Sequence, residues 1–410
     1  MRICITERRV HISIAWLLIA AGLIISYILM RQSGPICDES WHIWQIEKFF
    51  GKDFSKIDGL TTFPAYHFII YVLLSFRSAA NVQDIRLVSY IISILCAPVF
   101  FFITKQAWND KIALFRTIQF TFLPIVFFMF PLIYTDLWAL LFVLLMLLAV
   151  LKGRIHIAAL CGAIAVAIRQ PSVIWVAFVW LLLLQSEQRF RDYTFTHIID
   201  WLRKTWSFAV LFIIFCVFVI INRGVAVGDK DSHEVGIYFG NIWFFFAVFF
   251  IFSLPYCWKW VKEAYIMARK NPITSVVVIL GIFAVIIGTY SAKHPYNQAD
   301  YLFYLRNRLL YWTTLSYFHK MLASIPIAIG LFGFLKTRFV QARFSLLLPV
   351  TIASLMVLPL VEQRYYIIPF VFYIAFRNQE DEKSEIVQTC LFVVVSLVIM
   401  IGVSRYYFFL

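Results

Sequence analysis

Charged residues are scarce in this sequence. They make up 14% of its 410 residues, whereas a soluble domain carries about 25%. A water-soluble protein of this length could not cover its surface with so few charges, and 62% of the residues are hydrophobic. The deficit therefore excludes an ordinary soluble enzyme and predicts an integral membrane protein.

Several familiar motifs for nucleotides and metals are also missing. The sequence has no Walker A loop, no GxGxxG and no HExxH, which argues against a nucleotide-driven pump and a zinc protease. Its seven cysteines are scattered, without a CxxC pair or a Cys/His metal spacing, and are interpreted as small core residues. We therefore assign no metal ligand and expect no cofactor.

Long apolar runs are abundant instead, and they predict an all-α integral membrane protein of about 12–14 transmembrane helices. Thirteen runs lie near residues 12–30, 87–104, 117–133, 137–151, 156–168, 172–185, 205–222, 236–257, 273–290, 319–335, 344–360, 365–377 and 387–404. No soluble appendage interrupts them. The chain is interpreted as one transmembrane domain over residues 1–410, with a first external loop at about residues 31–86.

The charge distribution predicts the topology. Residues 65–76 are apolar but number only twelve, whereas an isolated span needs about 20. If they form a juxtamembrane helix and the N-terminus is inside, the inner segments hold 21 of the 36 lysines and arginines. A full crossing would move the last 18 of these outside, which the positive-inside rule disfavours. The net charge of +14 is therefore attributed to inner loops rather than to nucleic-acid binding.

One inner segment has an amphipathic pattern. Residues 186–204 are expected to form a helix lying on the inner face, with its basic side chains near lipid phosphates. These side chains are Arg189, Arg191, Arg203 and Lys204.

With this topology, six separated segments bring ionisable residues to the outer face. They are Asp38-Glu39 with His42, Asp136, Arg169-Gln170, residues 228–234, residues 294–308 and residues 362–364. Charges near membrane depth are costly and usually mark a function. We therefore expect an active site at the outer face.

The acidic pair at the start of the first loop admits two interpretations. A helix that begins near Asp38 would place Asp38, His42 and Gln45 on one face, because these residues are four and three positions apart. Such a face could belong to an active site. The simpler alternative is that the two acids cap the helix and favour its dipole.

The remaining outer residues are equally open to a structural or a functional interpretation. Asp136 is either a site residue or a plain helix cap. Arg169 needs an anion, which is either a carboxylate such as Asp136 or Glu39, or a substrate phosphate. Cations among tyrosines could bind a phosphate or form an interfacial belt, and these cations are His294, Arg306, Arg308 and Arg364. The acids around His233 indicate an acid/base cluster or a solvated loop.

Together these residues resemble the DIE2/ALG10 family of dolichyl-phosphate-glucose α-1,2-glucosyltransferases, within the GT-C superfamily. Seven short motifs appear in the family's order over about residues 38–370. They are Asp38-Glu39-x-x-His42-x-x-Gln45, Thr61-Thr62-x-Pro64, Tyr134-Thr135-Asp136, Arg169-Gln170-x-x-Ile174-Trp175, Gly228-Asp229-x-x-Ser232-His233-Glu234, His294-Pro295 with Ala299-Asp300, and Arg364-Tyr365 with Pro369. Each is weak alone, and all seven fall outside in a topology derived from charge.

The resemblance implies a GT-C-type helix bundle and an inverting glycosyltransferase. The enzyme would move a sugar, expected to be glucose in α-1,2 linkage, from a polyprenyl-phosphate donor to a lipid-linked oligosaccharide. Asp38 is the implied general base, and Glu39 and Asp136 are the alternative candidates for that role. Phosphate contacts are implied for Arg169, Arg306, Arg308 and Arg364 with His294, and contacts to sugar hydroxyls for His42 and His233. The other predicted substrate-binding residues are Gln45, Gln170, Asp229, Glu234 and Asp300.

The resemblance also implies which partners the protein has and in which membrane it lies. The expected partners are the lipid-linked donor and acceptor and membrane lipids, without nucleic acid, and the expected state is a monomer. A eukaryotic protein would lie in the endoplasmic reticulum membrane with a lumenal site, and a prokaryotic one in the plasma membrane with an external site. The alternatives are a sibling GT-C enzyme for another sugar, a polytopic transporter or flippase, and a non-catalytic subunit.

Overall fold

The chain folds into a bundle of α-helices. A computed structural model describes residues 2–184, 194–229, 236–298 and 308–409. Its helices are α1 (Arg2–Met30), α2 (Glu39–Phe50), α3 (Ala65–Leu74), α4 (Val82–Ile94), α5 (Cys96–Thr104), α6 (Asp110–Thr121), α7 (Pro124–Phe127), α8 (Thr135–Leu151), α9 (Ile155–Ile168), α10 (Ser172–Leu184), α11 (Phe195–Lys204), α12 (Trp206–Asn222), α13 (Gly240–Phe252), α14 (Leu254–Lys270), α15 (Pro272–Thr289), α16 (Arg308–Thr314), α17 (Tyr317–Lys336), α18 (Leu347–Met356), α19 (Ile367–Phe376) and α20 (Glu382–Ser404). Short 3₁₀ helices cover Pro295–Asn297, Ala342–Leu346 and Gln363–Tyr366. Within the described ranges, extended pairing is limited to one isolated bridge, so the all-α prediction is confirmed.

The helices are those of a polytopic membrane protein. In the described ranges, five stretches are long and apolar enough to cross a membrane, or up to seven if two bent helix pairs count as spans. The other apolar helices are shorter. The 17 residues of α8, for example, extend about 25 Å, less than the ~30 Å hydrocarbon core. Each of the thirteen predicted apolar runs contains a helix, which confirms the predicted class.

The centre of the bundle is apolar. Helix α8 is hydrophobic on every side and packs against α5, α9 and α10, as expected of a helix surrounded by others. Beside it, a ring cluster joins α13, α17 and α19, with centroid distances between 4.9 and 6.0 Å. Its members are Phe245, Phe249, Phe334, Phe370 and Tyr373. This core separates two groups of polar residues.

Polar contacts join loops at two opposite ends of the bundle. At one end, the Val227 N–H donates to the Thr61 carbonyl at 3.1 Å. At the other end, the Asn378 N–H donates to the Arg338 carbonyl at 2.7 Å. These pairings join segments that the charge count assigns to the same side. We call the end with residues 31–81, 134–136, 169–171, 223–229 and 357–366 the site face, and the other end the opposite face.

A buried charge cluster lies at the opposite face and joins α6, α19 and α20. Arg377 donates to both carboxylate oxygens of Glu385, at 2.7 and 2.8 Å, and Arg116 lies 3.6 Å from the same carboxylate. Gln119 donates to Glu385 at 3.0 Å, and Gln388 accepts from Arg377 at 2.8 Å. Buried charges persist only when they are paired in this way.

The first loop carries two short helices, as predicted. Helix α3 has ten residues and so extends about 15 Å, half of the hydrocarbon core. It packs against α2 and α4, and the Tyr66 hydroxyl lies 2.9 Å from the Ser89 hydroxyl. Trp41 and Trp44 on α2 are exposed, as expected of rings at a membrane interface. Residues 65–74 therefore form a juxtamembrane helix.

Part of the predicted amphipathic helix is described. Helix α11 is amphipathic and bends by 84° from α12, so it runs across the direction of the neighbouring span. Its hydrophobic residues Phe195, Ile198 and Leu202 are exposed. Arg189 and Arg191 lie outside the described residues, and the contact with lipid phosphates stays a prediction.

Candidate active site

A cavity of about 810 Å³ opens at the site face. It lies between the first loop and the outer ends of α8, α9, α10, α12 and α18. Six of the seven motifs contribute lining residues, and the seventh borders it through Tyr296. The charged residues that line it are Asp38, Arg169, Asp229 and Arg364. Segments far apart in sequence thus converge on one space large enough for sugar substrates.

Asp38 forms an ion pair inside this cavity. Its Oδ2 lies 3.1 Å from Arg364 Nη2, and Arg364 Nε lies 2.5 Å from Glu362 Oε2. Asp38 occupies the N-cap position of α2, but its side chain forms no capping hydrogen bond. The capping alternative therefore does not describe the Asp38 carboxylate, which is directed to Arg364 instead.

The backbone before α2 is held by Tyr134. The Asp38 N–H donates to the Tyr134 hydroxyl at 3.0 Å. Tyr134 is the residue before α8 and is buried, so its ring is fixed by packing. This contact places the first carboxylate of the loop at a defined position above the helix bundle.

A second ion pair lies beside the first. Oδ1 of Asp136, in the first turn of α8, lies 2.9 Å from Nη1 of Arg169, which stands at the C-terminal end of α9. The other Asp136 oxygen, Oδ2, is sealed from solvent and has no hydrogen-bond partner among the described residues. Arg169 thus has the carboxylate partner that the sequence offered as one alternative.

Two tyrosine rings contact the arginines of the two ion pairs. The Arg364 guanidinium lies 5.7 Å from the ring centre of Tyr134, and the Arg169 guanidinium lies 5.6 Å from that of Tyr365. Cations at this distance are attracted by the ring face. Burial also raises the pKa of Tyr365, so its hydroxyl stays neutral. Each arginine therefore contacts a tyrosine next to the other ion pair.

Glu39 has different surroundings from its neighbour Asp38. It is fully buried, and its Oε2 lies 2.7 Å from Arg86 of α4. It also accepts from the backbone N–H groups of Ile36, at 2.8 Å, and Ile133, at 2.7 Å. Arg86 belongs to α4 and Ile133 lies just before α8, so these contacts of Glu39 hold α2 against both segments. It does not line the cavity.

His42 lines the cavity one turn after Asp38. Its Nδ1 lies 2.8 Å from Nε2 of His67 on α3. Burial lowers the pKa of His42 to about 4, and the nearby Asp38 carboxylate offsets part of that shift. His42 is therefore neutral at physiological pH. His67 was absent from the predicted site, although a histidine inside an apolar run was a signal that could have suggested it.

Two predicted glutamines hold the backbone of the first loop. Gln45 Nε2 donates to the Ser55 carbonyl at 3.1 Å, and its Oε1 accepts from the Ile57 N–H at 2.8 Å. Gln170 Nε2 donates to the Thr61 carbonyl at 3.1 Å. Gln170 lines the cavity, whereas Gln45 is buried behind it.

Asp229 reaches the cavity because its segment docks onto the first loop. The Asp229 N–H donates to the Asp58 carbonyl at 3.2 Å. The contact is so close that a Cβ on Gly228 would lie 2.2 Å from the Leu60 carbonyl oxygen. Only glycine fits there without displacing the backbone.

The other predicted residues are less central. His294 is largely buried and accepts from the Tyr296 N–H at 3.2 Å, while Arg308 begins α16 and is exposed. Neither lines the cavity. In the described part of the chain, no three His, Cys, Asp or Glu side chains converge as a metal site would require. The predictions that lie outside the described residues are His233, Glu234, Asp300 and Arg306.

A family model of the DIE2/ALG10 family matches residues 32–196 and 182–375. These ranges include every motif that borders the cavity. The chain belongs to the DIE2/ALG10 family. The resemblance inferred from seven short motifs is therefore confirmed, as is the prediction of a glycosyltransferase.

Relatives in the DIE2/ALG10 family are found across eukaryotes. The Yarrowia lipolytica protein is 26% identical over 447 residues, covering 86% of this chain and 85% of its own length. The Drosophila melanogaster protein is 26% identical over 394 residues, covering 84% and 85%, and the human protein 24% over 402 residues, covering 83% of each. All three are named Dol-P-Glc:Glc(2)Man(9)GlcNAc(2)-PP-Dol alpha-1,2-glucosyltransferase.

Among solved structures, the chain is similar to ArnT from Cupriavidus metallidurans. The crystal structure bound to undecaprenyl phosphate aligns with a TM-score of 0.44 and 12% identity, covering 96% of this chain and 78% of ArnT. The apo structure aligns with a TM-score of 0.43.

Proposed function

We propose that this protein transfers glucose from dolichyl-phosphate-glucose to a dolichyl-diphosphate-linked oligosaccharide, forming an α-1,2 linkage. Membership of the DIE2/ALG10 family supports the reaction class, and the reactions for which its relatives are named suggest the two substrates. The observation that carries the proposal is the carboxylate of Asp38, which lines a cavity at the site face and is oriented by Arg364.

The chemistry is one displacement at the anomeric carbon. An acceptor hydroxyl attacks that carbon, its proton passes to the Asp38 carboxylate, and the bond to the phosphate oxygen breaks with both electrons leaving on the phosphate. Such a displacement inverts the anomeric configuration, so a β-linked donor gives an α-linked product. A positioned carboxylate is the group that this attack requires.

The leaving phosphate needs cations rather than a proton donor. Arg364 contacts Asp38 through Nη2 and Glu362 through Nε. We assign Arg364 two tasks, orientation of Asp38 and contact with the phosphate. Arg169 lines the same cavity and is the second candidate for the phosphate.

An apolar groove supports a donor with a lipid chain. It has a volume of about 520 Å³ and lies between α9 and α12. Thr62 lines the cavity and Phe63 lines the groove, so the two spaces adjoin. A polyprenyl chain in the groove would lie within the membrane while its phosphate reaches the cavity.

The membrane assignment follows from the same relatives. They are eukaryotic proteins named for dolichyl-linked substrates, so we propose the endoplasmic reticulum membrane, with the site face in the lumen. The proposed working state is a monomer.

Reconstitution of the purified protein tests the function. The assay supplies radiolabelled dolichyl-phosphate-glucose, dolichyl-phosphate-mannose or an undecaprenyl-phosphate sugar, with a lipid-linked oligosaccharide that ends in two glucoses. We expect label to reach the acceptor only from the glucose donor, and digestion with a linkage-specific glucosidase should release it. Transfer of mannose would refute the assigned sugar, and no transfer from any donor would refute the proposed reaction.

A further inference from the structure

Helix α14 lies along the opposite face of the bundle. It follows α13, which begins at the site face, where the Asn241 side chain donates to the Leu360 carbonyl at 2.7 Å. It precedes α15, which returns toward that face, because Trp243 Nε1 near the start of α13 donates to Thr289 Oγ1 at the end of α15 at 2.8 Å. Helix α14 bends by 106° from α13. Its 17 residues, about 25 Å long, therefore run across the direction of the neighbouring span.

One side of α14 packs against the bundle. Tyr256 and Trp260, four residues apart, are both buried. The Tyr256 hydroxyl donates to Gln388 Oε1 at 2.8 Å, next to the charge cluster of the opposite face. The Trp260 ring covers Gly333 of α17 so closely that a Cβ there would lie 2.3 Å from the ring. These contacts fix which sides of α14 remain outward.

A row of large apolar and aromatic side chains follows an outward side of α14. The four residues stand at positions i, i+4, i+7 and i+11, which places them on one side of the helix. They are Leu254, Trp258, Val261 and Tyr265, and each is between 40% and 78% exposed. Contact of such a row with water is unfavourable, whereas membrane hydrocarbon accepts it. The row therefore lies toward the hydrocarbon.

Basic side chains lie beside this apolar row. Successive residues are about 100° apart around a helix, so Lys262 is adjacent to Val261, and Arg269, seven residues later, lies on the same side as Lys262. The Arg269 guanidinium lies 6.0 Å from the ring centre of Tyr265. Lys270 ends the helix, and all three basic residues are exposed. Because α14 contains four basic residues and one acidic residue, it carries a net positive charge.

The start of α15 indicates the depth of these cations. Helix α15 begins at Pro272, is apolar enough to cross a membrane, and has only 6% of its residues buried, so lipid surrounds it. Arg269 and Lys270 stand three and two residues before Pro272. Residues directly before such a span lie at the boundary of the hydrocarbon, where the lipid headgroups begin. An apolar row with basic residues beside it at this depth is typical of a helix bound to anionic lipid.

We propose that α14 binds anionic phospholipid headgroups in the leaflet opposite the site face. Lys262, Arg269 and Lys270 contact the phosphates, and Trp258 lies among the adjoining ends of the acyl chains. The cytoplasmic leaflet is the one that carries anionic lipids, which is consistent with the proposed lumenal site face. This interaction does not depend on which sugar the protein transfers.

Lipid binding can be measured on the purified full chain in detergent. Phosphatidylserine or phosphatidylcholine is titrated in, and native mass spectrometry counts the bound lipids. We expect the wild type to bind phosphatidylserine at least about tenfold more tightly, because basic residues at a membrane surface attract anionic lipid. Lys262→Gln/Arg269→Gln/Lys270→Gln should lose this preference. Equal affinities in the wild type, or a full preference in the triple variant, would overturn the proposal.

A second triple variant is the control for net charge. Arg31→Gln/Lys52→Gln/Arg223→Gln also removes three exposed positive charges, but at the site face. It should keep the preference for phosphatidylserine. The same loss in this variant would mean that the preference reflects the total charge of the protein, and would overturn the assignment to α14. Thermal unfolding in detergent checks that both variants are folded, and the corresponding single variants replace one that is not.

Trp258 tests the depth of α14 independently of its charge. The difference in fluorescence between the wild type and Trp258→Phe reports Trp258, because the two proteins share all other tryptophans. In vesicles, we expect this difference to be quenched most by phosphatidylcholine brominated near the headgroup end of its chains, and little by iodide in the water. Quenching by iodide alone would place α14 in water and overturn the proposal. Neither measurement uses a sugar substrate, so failure of the proposed function would leave both results intact.

Discussion

Asp38 and Glu39 are adjacent in sequence, yet their carboxylates have different surroundings. Asp38 lines the cavity and contacts Arg364, which also lines it. Glu39 is completely buried and is bound by Arg86 and two backbone N–H groups. A base must reach its substrate, so of the two only Asp38 suits that role in the proposed mechanism.

Replacement of Asp38 by asparagine tests this assignment. Asp38→Asn keeps the shape of the side chain but cannot take up a proton. We expect the rate of sugar transfer to fall by at least about 100-fold, the lower end of what a general base contributes. The measurement is the turnover of purified protein with a radiolabelled donor.

The matched control is Asp53→Asn, in the same loop but exposed, where the carboxylate contacts Lys48 and the Ser55 N–H. It should transfer sugar at the wild-type rate. Thermal unfolding of both variants in detergent checks that they are folded. Wild-type turnover by Asp38→Asn would remove Asp38 from the proposed role.

His42 is predicted to make stability depend on pH. Its pKa is about 4 in the folded protein and 6.5 in the unfolded chain, chiefly because burial disfavours the charged ring. The unfolded state therefore binds more protons between these values, and stability is lost as the pH falls from about 6.5 to about 4. The full effect of this shift is on the order of 3 kcal/mol.

Thermal unfolding in detergent across this pH range measures the effect. His42→Gln removes the titrating ring, so its melting temperature should vary less with pH than that of the wild type. His156→Gln is the control, since His156 is an exposed histidine at the start of α9. Parallel curves for the wild type and His42→Gln would show that His42 does not titrate as expected.

At the scale of elements, the cavity depends on docking between loops that lie far apart in sequence. The segment at Gly228 rests on the first loop so closely that a methyl group would collide with the Leu60 and Asp58 carbonyl oxygens, at 2.2 and 2.3 Å. Backbone atoms cannot yield as a flexible side chain can. The segment that carries Asp229 would therefore be displaced by any larger residue.

Gly228→Ala should accordingly impair transfer. We expect KM for the sugar substrates to rise by about tenfold or more, because Asp229 and its neighbours would no longer line the cavity. The loss of one contact that contributes about 1.4 kcal/mol to binding weakens affinity by a factor of ten. Gly281→Ala on α15 is the control, since a methyl group there meets nothing within 4 Å. Equal KM values for Gly228→Ala and the wild type would contradict the docking argument.

The groove between α9 and α12 is predicted to hold the lipid chain of the donor. Ala163→Phe fills part of it. KM for a donor with a long polyprenyl chain should rise by about tenfold. This factor is the binding free energy lost when roughly two methylenes of the chain can no longer be buried in the groove. KM for a donor with a short isoprenoid chain should change little. Kinetics with the two donors measure this difference.

Val277→Phe provides the control for added bulk, because Val277 lies on the exposed face of α15, away from the groove. It should leave both KM values unchanged. An equal rise for the long and short donors in Ala163→Phe would indicate a distorted site rather than a blocked groove.

At the scale of the whole molecule, the described buried ion pairs form two groups, one at the site face and one at the opposite face. The site-face residues Asp38, Arg169 and Arg364 line a cavity, whereas Arg116, Arg377 and Glu385 at the opposite face are buried and pair with one another. Glu385 balances two arginines there. Loss of one partner from a buried ion pair costs more than the pair contributes, because the remaining charge is uncompensated.

Glu385→Gln is therefore expected to destabilise the protein by about 3–5 kcal/mol without acting on the chemistry. Thermal unfolding in detergent measures the loss. Below the unfolding temperature, KM for donor and acceptor should match the wild type. Glu382→Gln, one turn earlier and exposed, is the control. An unaltered melting temperature for Glu385→Gln would show that the cluster contributes nothing to stability.

Much of the fold and site could be predicted from local features. Apolar runs predicted the helices, and the charge count predicted which loops meet. The partners inside the site could not be predicted. Nothing local indicated that Asp38 would pair with Arg364, or that Asp136 rather than Glu39 would pair with Arg169. Such pairings depend on how helices distant in sequence pack.

The sequence by itself determined the membrane class and the family, because composition, hydrophobic length and motif order are properties of the chain alone. Only the tertiary structure decided which carboxylate reaches the cavity and which histidine lies behind His42. The reason is geometric: burial and hydrogen-bond partners are set by side chains from other helices. Adjacent residues such as Asp38 and Glu39 can therefore point into different environments.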